Sequence, residues 1–473
     1  MYERSRGDAF QQENLLARLD RIPINGTILL LVGLLGLTWI LEAFDIGIIS
    51  PVLLLLRKTW HLTPSQIGVI GSAGTLGIVI GLLPAGRVAD KVGRKKTLVG
   101  GIIVFSAFTF LASFSRGVDE LVVFRFIAGV GQGAVFPVPY LLLSELINKR
   151  WRGTAVGLSN ALLGFSYGLN TLAGALIIGT IPDAEAWRVL LMLGGATILI
   201  TPLIILYLPE SPRFSLKVGD FEKVQKFVEK LEDESGLPHD ESLVDPSALR
   251  VLEVTAKRRI SIADLFRKPY LGRCFVAYTA LLSPFVVFYV ITIYGPSILH
   301  RMGASQADSL YYTSGLLFTT VITTVIAGSV GDRISRRKGL VIIMGVAALS
   351  TVALGHHMPE FAVICAAAIT WGFVYAGFPL AKLYMAEQFP TRLRAQGVML
   401  GESVTRFLGG VVLVYLFPIM QSQLPSSSVF TILAILTAAF IVPIGLFGFQ
   451  TSGRSVEETG TDLEQYGAGV EGS

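Results

Sequence analysis

Charge is what this chain is short of. Only 15% of its 473 residues are Asp, Glu, Lys or Arg, against roughly 25% in a typical soluble protein. That shortage excludes an ordinary soluble globular domain. Cysteine is nearly absent as well. Cys274 and Cys365 fall in apolar stretches without metal-ligand spacing, so neither a disulfide framework nor a metal centre is expected. His61, His239, His300, His356 and His357 sit in loops or near the ends of apolar runs, which leaves no paired haem ligands inside a bilayer. No glycine-rich loop leads into Lys-Ser or Lys-Thr, and ATP-driven pumping therefore has no support. The first 24 residues are polar, so a cleavable signal peptide is not expected. No cofactor, metal or nucleic-acid partner is anticipated, and the chain does not read as an enzyme.

What fills the space is apolar sequence. Hydrophobic residues make up 52% of the chain and the mean hydropathy is +0.63. Fifty glycines accompany them, as expected where membrane helices approach closely through small residues. Runs long enough to cross about 30 Å of hydrocarbon lie at 27–56, 65–85, 98–115, 119–145, 154–180 and 187–208, then at 272–299, 308–330, 339–356, 360–387, 397–420 and 428–449. The pattern predicts an all-α membrane protein of twelve transmembrane helices. Assigning the termini and alternate loops to one side gathers 31 of the 39 basic residues there and leaves 4 on the other. By the positive-inside rule both termini are cytoplasmic, in a cell (inner) membrane. The remaining four, Arg125, Arg188, Lys382 and Arg406, lie within spans. The expected parts are a cytoplasmic N-terminus (1–26), a six-helix bundle (27–208), a cytoplasmic linker (209–271), a second six-helix bundle (272–449) and a cytoplasmic tail (450–473). Within the linker, Asp220 to Leu231 reads as a surface helix and Ser261 to Phe266 as a capped helix start. A stretch this short and charged offers little core for a separate catalytic domain.

An internal repeat sets the architecture. Gly86-Arg-Val-Ala-Asp90-Lys91-Val-Gly93-Arg94-Lys95-Lys96 joins spans 2 and 3, and Gly328-Ser-Val-Gly-Asp332-Arg333-Ile-Ser335-Arg336-Arg337-Lys338 joins spans 8 and 9 at an offset of 242 residues. The same offset relates Glu145 to Glu387 and Arg152 to Arg394. Two parallel, pseudo-symmetric halves that rock about a central site are the expectation. Ser335 stands where the first copy has Gly93, which weakens the second turn signal.

These loops resemble the signature of the major facilitator superfamily. Pro209-Glu210-Ser211-Pro212-Arg213-Phe214 after span 6 narrows the resemblance to its sugar-porter and organic-ion-transporter group. So does Arg125-x-x-x-Gly129-x-Gly131-x-Gly133, which runs on to Tyr140-x-x-x-Ser144-Glu145 and Arg152-Gly153. Leu16-x-x-Leu19-Asp20-Arg21-x-Pro23, Phe44-Asp45-Ile-Gly47 and Tyr384-x-x-Glu387-Gln388-Phe389-Pro390-Thr391-x-x-Arg394 are similar to the bacterial nicotinate-permease-like branch. The resemblance runs from about Leu15 to Phe447. Two sugar-porter features are missing. Span 7 reads Ser283-Pro-Phe-Val-Val-Phe-Tyr-Val-Ile-Thr-Ile-Tyr294 instead of a polar sugar-binding run, and no Pro-Glu-Thr-Lys-Gly follows span 12.

Charge inside the spans is the candidate chemistry, because an ionised side chain at a helix centre costs about 2.5–3.5 kcal/mol on insertion scales. Glu42 and Asp45 lie in span 1 and Arg125 in span 4. The resemblance implies that Asp45 and Arg125 form a switchable pair that couples protons to transport; a permanent pair that fixes helix register is the alternative. Glu42 is a further coupling candidate. In span 11, Glu402 and Arg406 are spaced i, i+4 and can pair with each other. Arg406 also matches a substrate-facing arginine of organic-anion carriers, and a planar guanidinium suits a carboxylate. Lys382, which can face the cavity or snorkel, joins Gln132 and Tyr289 as a substrate-binding candidate, and Phe285, Phe288, Tyr294, Tyr311 and Tyr312 could line an apolar pocket. The resemblance places Gly86, Asp90, Gly93, Arg94, Glu145, Arg152, Glu210, Asp332, Arg333, Arg336, Glu387 and Arg394 in the inner gate. The expected function is secondary active transport, by proton symport, of a small organic metabolite, with an aromatic or other carboxylate favoured. Sugar:proton symport, proton-driven drug efflux and a non-transporting receptor are the alternatives. Span 5 has no Gly-Pro pair of the efflux type. The partners expected are the small-molecule substrate, protons and the lipid bilayer, and the chain is expected to act as a monomer.

Overall fold

Long apolar runs have no water with which to satisfy their backbone, so they close their hydrogen bonds internally as helices. The computed structural model describes residues 2–239, 265–266, 270–331, 335–389 and 391–448, and every regular element among them is helical. Ten helices are long and apolar enough by length and composition to cross a membrane, and a shorter apolar helix, Leu162–Ile177, accompanies them. The twelve spans run in order. Span 1 is Gly26–Thr59, span 2 Pro64–Val92 and span 3 Arg94–Ala112. Span 4 is Val118–Val135 continued by Val138–Leu146, and span 5 is Lys149–Ile177. Span 6 is Asp183–Gly195 continued to Thr201–Tyr207. The second half comprises span 7 (Tyr270–Arg301), span 8 (Gln306–Gly331), span 9 (Arg336–Ala353), span 10 (Glu360–Glu387), span 11 (Thr391–Arg406, then Val414–Gln423) and span 12 (Ser426–Phe447). The tail from 450 lies outside the described residues, as does the Ser261–Phe266 helix start except for its last two positions.

Glycine spacing explains the tightest pairing. Gly129 and Gly133 of span 4 meet the backbone of span 2 at Gly74 and Ile78, while Gly131 turns to Phe105 of span 3. Any Cβ at these three positions would run into backbone, so the repeated glycines let span 4 nest between two neighbours at once. Its Arg125 is thereby carried into the middle of the first half.

The chain ahead of span 1 is not a loose tail. Tyr2–Arg21 is helical and packs on the linker helix Phe221–Ser235, where the sequence predicts helix from Asp220. Leu15, Leu19 and Ile22 share an apolar cluster with Val224, Val228 and Leu231. At its centre Glu232 accepts from Arg18 Nε at 3.1 Å and Nη2 at 2.6 Å and from Arg21 Nη2 at 2.7 Å.

Between the halves, spans 5 and 8, 2 and 11, and 1 and 7 make contact. The seam is sealed at the end away from the basic loops. Gly68 of span 2 abuts the Tyr415 backbone, and Gly71 lies against the Tyr294 hydroxyl. That hydroxyl donates to the Val414 carbonyl at 2.9 Å, while Ser314 of span 8 donates to the Gly168 carbonyl of span 5 at 2.9 Å.

Candidate functional site

Two buried charge clusters occupy the middle of the molecule. The first belongs to the N-terminal half. Arg125 Nη1 donates to both carboxylate oxygens of Asp45 at 3.1 Å and to the Thr109 hydroxyl at 3.2 Å, and its Nη2 donates to the Asp45 carbonyl at 3.0 Å. Gln132 Nε2 also donates to Asp45. Asp45 is wholly buried and Arg125 nearly so. Gln132, a substrate candidate by sequence, is placed with this pair, and Thr109 is a partner that no motif pointed to.

The second cluster lies on the seam. Glu402 sits between two cations, with Arg406 Nε at 3.3 Å and Lys382 Nζ at 3.5 Å. Arg406 Nη1 donates to the Tyr289 hydroxyl at 3.0 Å, and Nη2 has no hydrogen-bond partner among the described residues. The guanidinium lies 4.0 Å from the centroid of the Phe136 ring, and the Lys382 ammonium lies 5.6 Å from that ring and 5.9 Å from that of Tyr140. Phe136 and Tyr140 belong to the other half, so these cation–π contacts bridge the seam. Lys382 therefore faces the cluster, and Glu402 with Arg406 form the i, i+4 pair that their spacing allowed.

Local breaks in regular helix aim these groups. Span 4 is interrupted at Phe136 and Pro137, where proline removes a backbone donor. Immediately after Arg406, span 11 widens into a π-helical segment, Phe407–Leu413, a feature that often marks functional sites. Its Gly409 packs on the Phe285 backbone and Gly410 on the Tyr289 ring.

Glu42 is the odd member. It is 1% exposed, and neither carboxylate oxygen has a hydrogen-bond partner among the described residues. Arg406 and Lys382 are the opposite charges that act on it most strongly. Beside the cluster, Phe285 stacks on Tyr289 at 5.5 Å between centroids, and Phe288 packs edge-on to Tyr289 and Tyr167 and tilted against Tyr375. Tyr294 is part of the seal instead, and Tyr311 is 45% exposed.

At the basic end the repeat is visible as matched ion pairs. Arg94 reaches Glu145 at 3.4 Å in the first half, and Arg336 pairs with Glu387 in the second. Arg94 also pairs with Asp90 at 3.0 Å, although the Asp90 side chain is 60% exposed. Glu210 is a helix cap. Its Oε1 accepts from the Lys95 amide at 3.0 Å in the first turn of span 3, where an anion suits the exposed amides. Ser211 donates to Glu145, and Phe214 lies 5.8 Å below the Arg94 guanidinium. Gly93 has φ +109°, and a Cβ there would strike the Glu210 carboxylate. Ser335, its repeat counterpart, has φ −51°, so the second turn has no need of glycine. Met399 of span 11 lies over Gly86. Asp332 and Arg333, and the side chains of Arg152 and Arg394, lie outside the described residues.

Comparison with known proteins identifies the family and the fold. The family model for the "Sugar (and other) transporter" matches residues 31–463. A niacin transporter of Acinetobacter baylyi is 26% identical over 452 residues, covering 94% of this chain and 100% of that protein. A 4-hydroxybenzoate transporter of Pseudomonas putida is 28% identical over 372 residues, covering 78% and 80%. A glucose transporter of Staphylococcus epidermidis is 26% identical over 459 residues, covering 94% and 99%. Among solved structures, a D-xylose–proton symporter superposes with a TM-score of 0.71 at 18% identity, covering 91% of this chain and 100% of that one.

Proposed function

Because the chain belongs to the sugar (and other) transporter family of the major facilitator superfamily, whose members are membrane transporters and not enzymes, we propose that it carries a small organic carboxylate together with protons by alternating access. The observation that carries this reading is Arg406. It is a buried guanidinium at the seam, held by Tyr289 and Glu402 and stacked on Phe136 of the other half, and its Nη2 makes no hydrogen bond to the described residues. Such a group donates in parallel to a carboxylate, and the ring on the opposite half makes binding sensitive to how the halves are set. The flanking aromatics favour a flat, apolar body on the substrate. Niacin and 4-hydroxybenzoate, which two relatives transport by name, have that form. A hexose would need a polar array that span 7 does not supply.

Glu42 is the proton carrier in this reading. A buried carboxylate without a hydrogen-bond donor is costly, and an ionised Glu42 would compete with the substrate for Arg406. Protonation removes that competition, so substrate and proton travel together. Asp45 supports a second reading, since its pairing with Arg125 joins spans 1 and 4 and could switch when the acid is protonated. Every oxygen of Asp45 is already satisfied, which favours a positioning role. The basic end is cytoplasmic, so both termini are inside the cell membrane, and one chain contains both halves and the whole site, so it acts as a monomer.

Proteoliposome uptake of nicotinate, 4-hydroxybenzoate and glucose, with and without an inward proton gradient, tests the proposal. Glu42→Gln should keep carboxylate exchange but lose gradient stimulation. Asp45→Asn should lower folded yield and leave coupling intact in the protein that folds. Gradient stimulation that survives Glu42→Gln and disappears in Asp45→Asn would transfer the role to Asp45.

A further inference from the structure

The face opposite the basic loops carries few cations, and they are not scattered. Of Arg57, Lys58, Arg116 and Arg301, three surround one cavity of about 450 Å³ at the mouth of the seam. Leu54, Arg57 and Lys58 from the end of span 1 line it, together with Ser297, His300 and Arg301 from the end of span 7 and Gln306 from the start of span 8. The volume falls within the roughly 300–1,000 Å³ range of small-molecule sites. Leu54 packs with Ala175 and Leu310 in a small apolar cluster, so the cavity opens directly above the closed seal.

Its charge is largely uncompensated. Lys58 is bridged to Asp183 at 3.0 Å. No carboxylate lines the cavity, and Arg57 and Arg301 have no ion pair among the described residues. Asp308, the nearest acid in sequence on span 8, takes a hydrogen bond from Ser305 at 2.5 Å. His300 uses Nδ1 on the Ala304 carbonyl at 2.9 Å, which leaves Nε2 available. Cations on this face also oppose the charge asymmetry that orients the protein. Two guanidiniums that line one cleft without an ion pair among the described residues repel each other unless an anion lies between them.

We propose that this vestibule is an outer anion-capture site, at which Arg57 and Arg301 hold the carboxylate of a small organic acid above the seal before the seam opens. The inference rests on the carboxylate reading of the central site and assigns that same substrate a first station. A cleft lined by one sign of charge raises the local concentration of the opposite ion, and two guanidiniums match the two oxygens of a carboxylate.

Thiol labelling reads the site without requiring transport. In a Cys365→Ser background, Gln306→Cys would report from the vestibule and Ser422→Cys from elsewhere on the same face. Both would be reconstituted without anionic lipid and treated with impermeant anionic or cationic methanethiosulfonates. The anionic-to-cationic rate ratio should be about tenfold higher at position 306 than at 422, in line with electrostatic focusing. In Arg57→Gln/Arg301→Gln it should fall to the control value, and Arg57→Lys/Arg301→Lys should restore it. Millimolar 4-hydroxybenzoate should slow labelling at 306, while 4-hydroxybenzamide should not. Equal ratios at the two positions, or equal protection by acid and amide, would overturn the proposal. Carboxylate uptake combined with equal ratios would remove the vestibule alone. Uptake restricted to glucose with the ratio intact would overturn the carboxylate function and leave the anion preference of the vestibule standing.

Discussion

Arg406 makes three demands on its side chain at once. It must carry charge, donate to Glu402 and Tyr289, and present a flat face to Phe136. Lysine carries the charge and can donate, but its ammonium is a compact point charge with no flat face for Phe136 and no fixed fork to hold Glu402 and Tyr289 together. Arg406→Lys should therefore raise the KM for a transported carboxylate about tenfold, equivalent to about 1.4 kcal/mol, with the protein still inserted and folded. An unchanged KM in proteoliposome uptake would remove Arg406 from the substrate site. This residue, Asp45 and Arg125 were legible in the sequence because a charge within an apolar run is conspicuous. None has a charged counterpart at the repeat offset, so the symmetric scaffold does not account for them. Phe136 was not legible. It is one of 28 phenylalanines, and only the fold brings its ring under the guanidinium. Glu42 was visible as a charge, but its lack of hydrogen-bond donors is a property of three dimensions.

Among the elements, the twelve spans follow directly from hydrophobic run length, whereas their irregularities depend on packing. Pro137 sits at the break in span 4, within a run that reads as continuous in the sequence; nothing so local marks the π-helical segment after Arg406, beyond the Gly409-Gly410 pair. The docked N-terminal helix was hidden for a different reason. Its apolar residues are few, and their partners lie more than 200 residues away in the linker. Glu232 joins the two pieces. Burial alone would raise its pKa, but the hydrogen bonds from Arg18 and Arg21 bring it below the ordinary glutamate value. A lowered folded-state pKa means that docking is stabilised above the unfolded pKa of about 4.3 and weakens as pH falls through the lowered value. Glu232→Gln should remove that stabilisation at neutral pH by taking away the carboxylate that the two guanidiniums share. Breaking a buried pair in this way costs on the order of 3–5 kcal/mol. Hydrogen–deuterium exchange over residues 2–21 should then be fast at pH 7 in the variant and slow in the wild type. Equal protection in both proteins would show that the apolar contacts suffice.

For the whole molecule, transport requires the two halves to exchange one seam for another, and this structure has chosen the seam at the end away from the basic loops. The contacts that close it are short-range and unforgiving. Gly68 leaves no room for a Cβ against the Tyr415 carbonyl, and Gly410 none against Thr75 and Tyr289. A side chain at Gly68 therefore penalises the closed seam without touching the central charges or the gate pairs at the basic end. Every 1.4 kcal/mol or so of that penalty multiplies the population with the seam open tenfold. Gly68→Val should shift the protein toward that state, exposing Thr75 in span 2, which is now 4% accessible. With Thr75→Cys as the reporter, an impermeant thiol reagent applied to that face should react faster in the Gly68→Val background, and uptake should slow because the closed state is harder to reach. Gly315 has nothing within 4 Å of an added Cβ, so Gly315→Val is the control and should change neither rate. Unchanged labelling in Gly68→Val would mean that the seam does not open there, and that the two bundles move about some other contact than the one their glycines make.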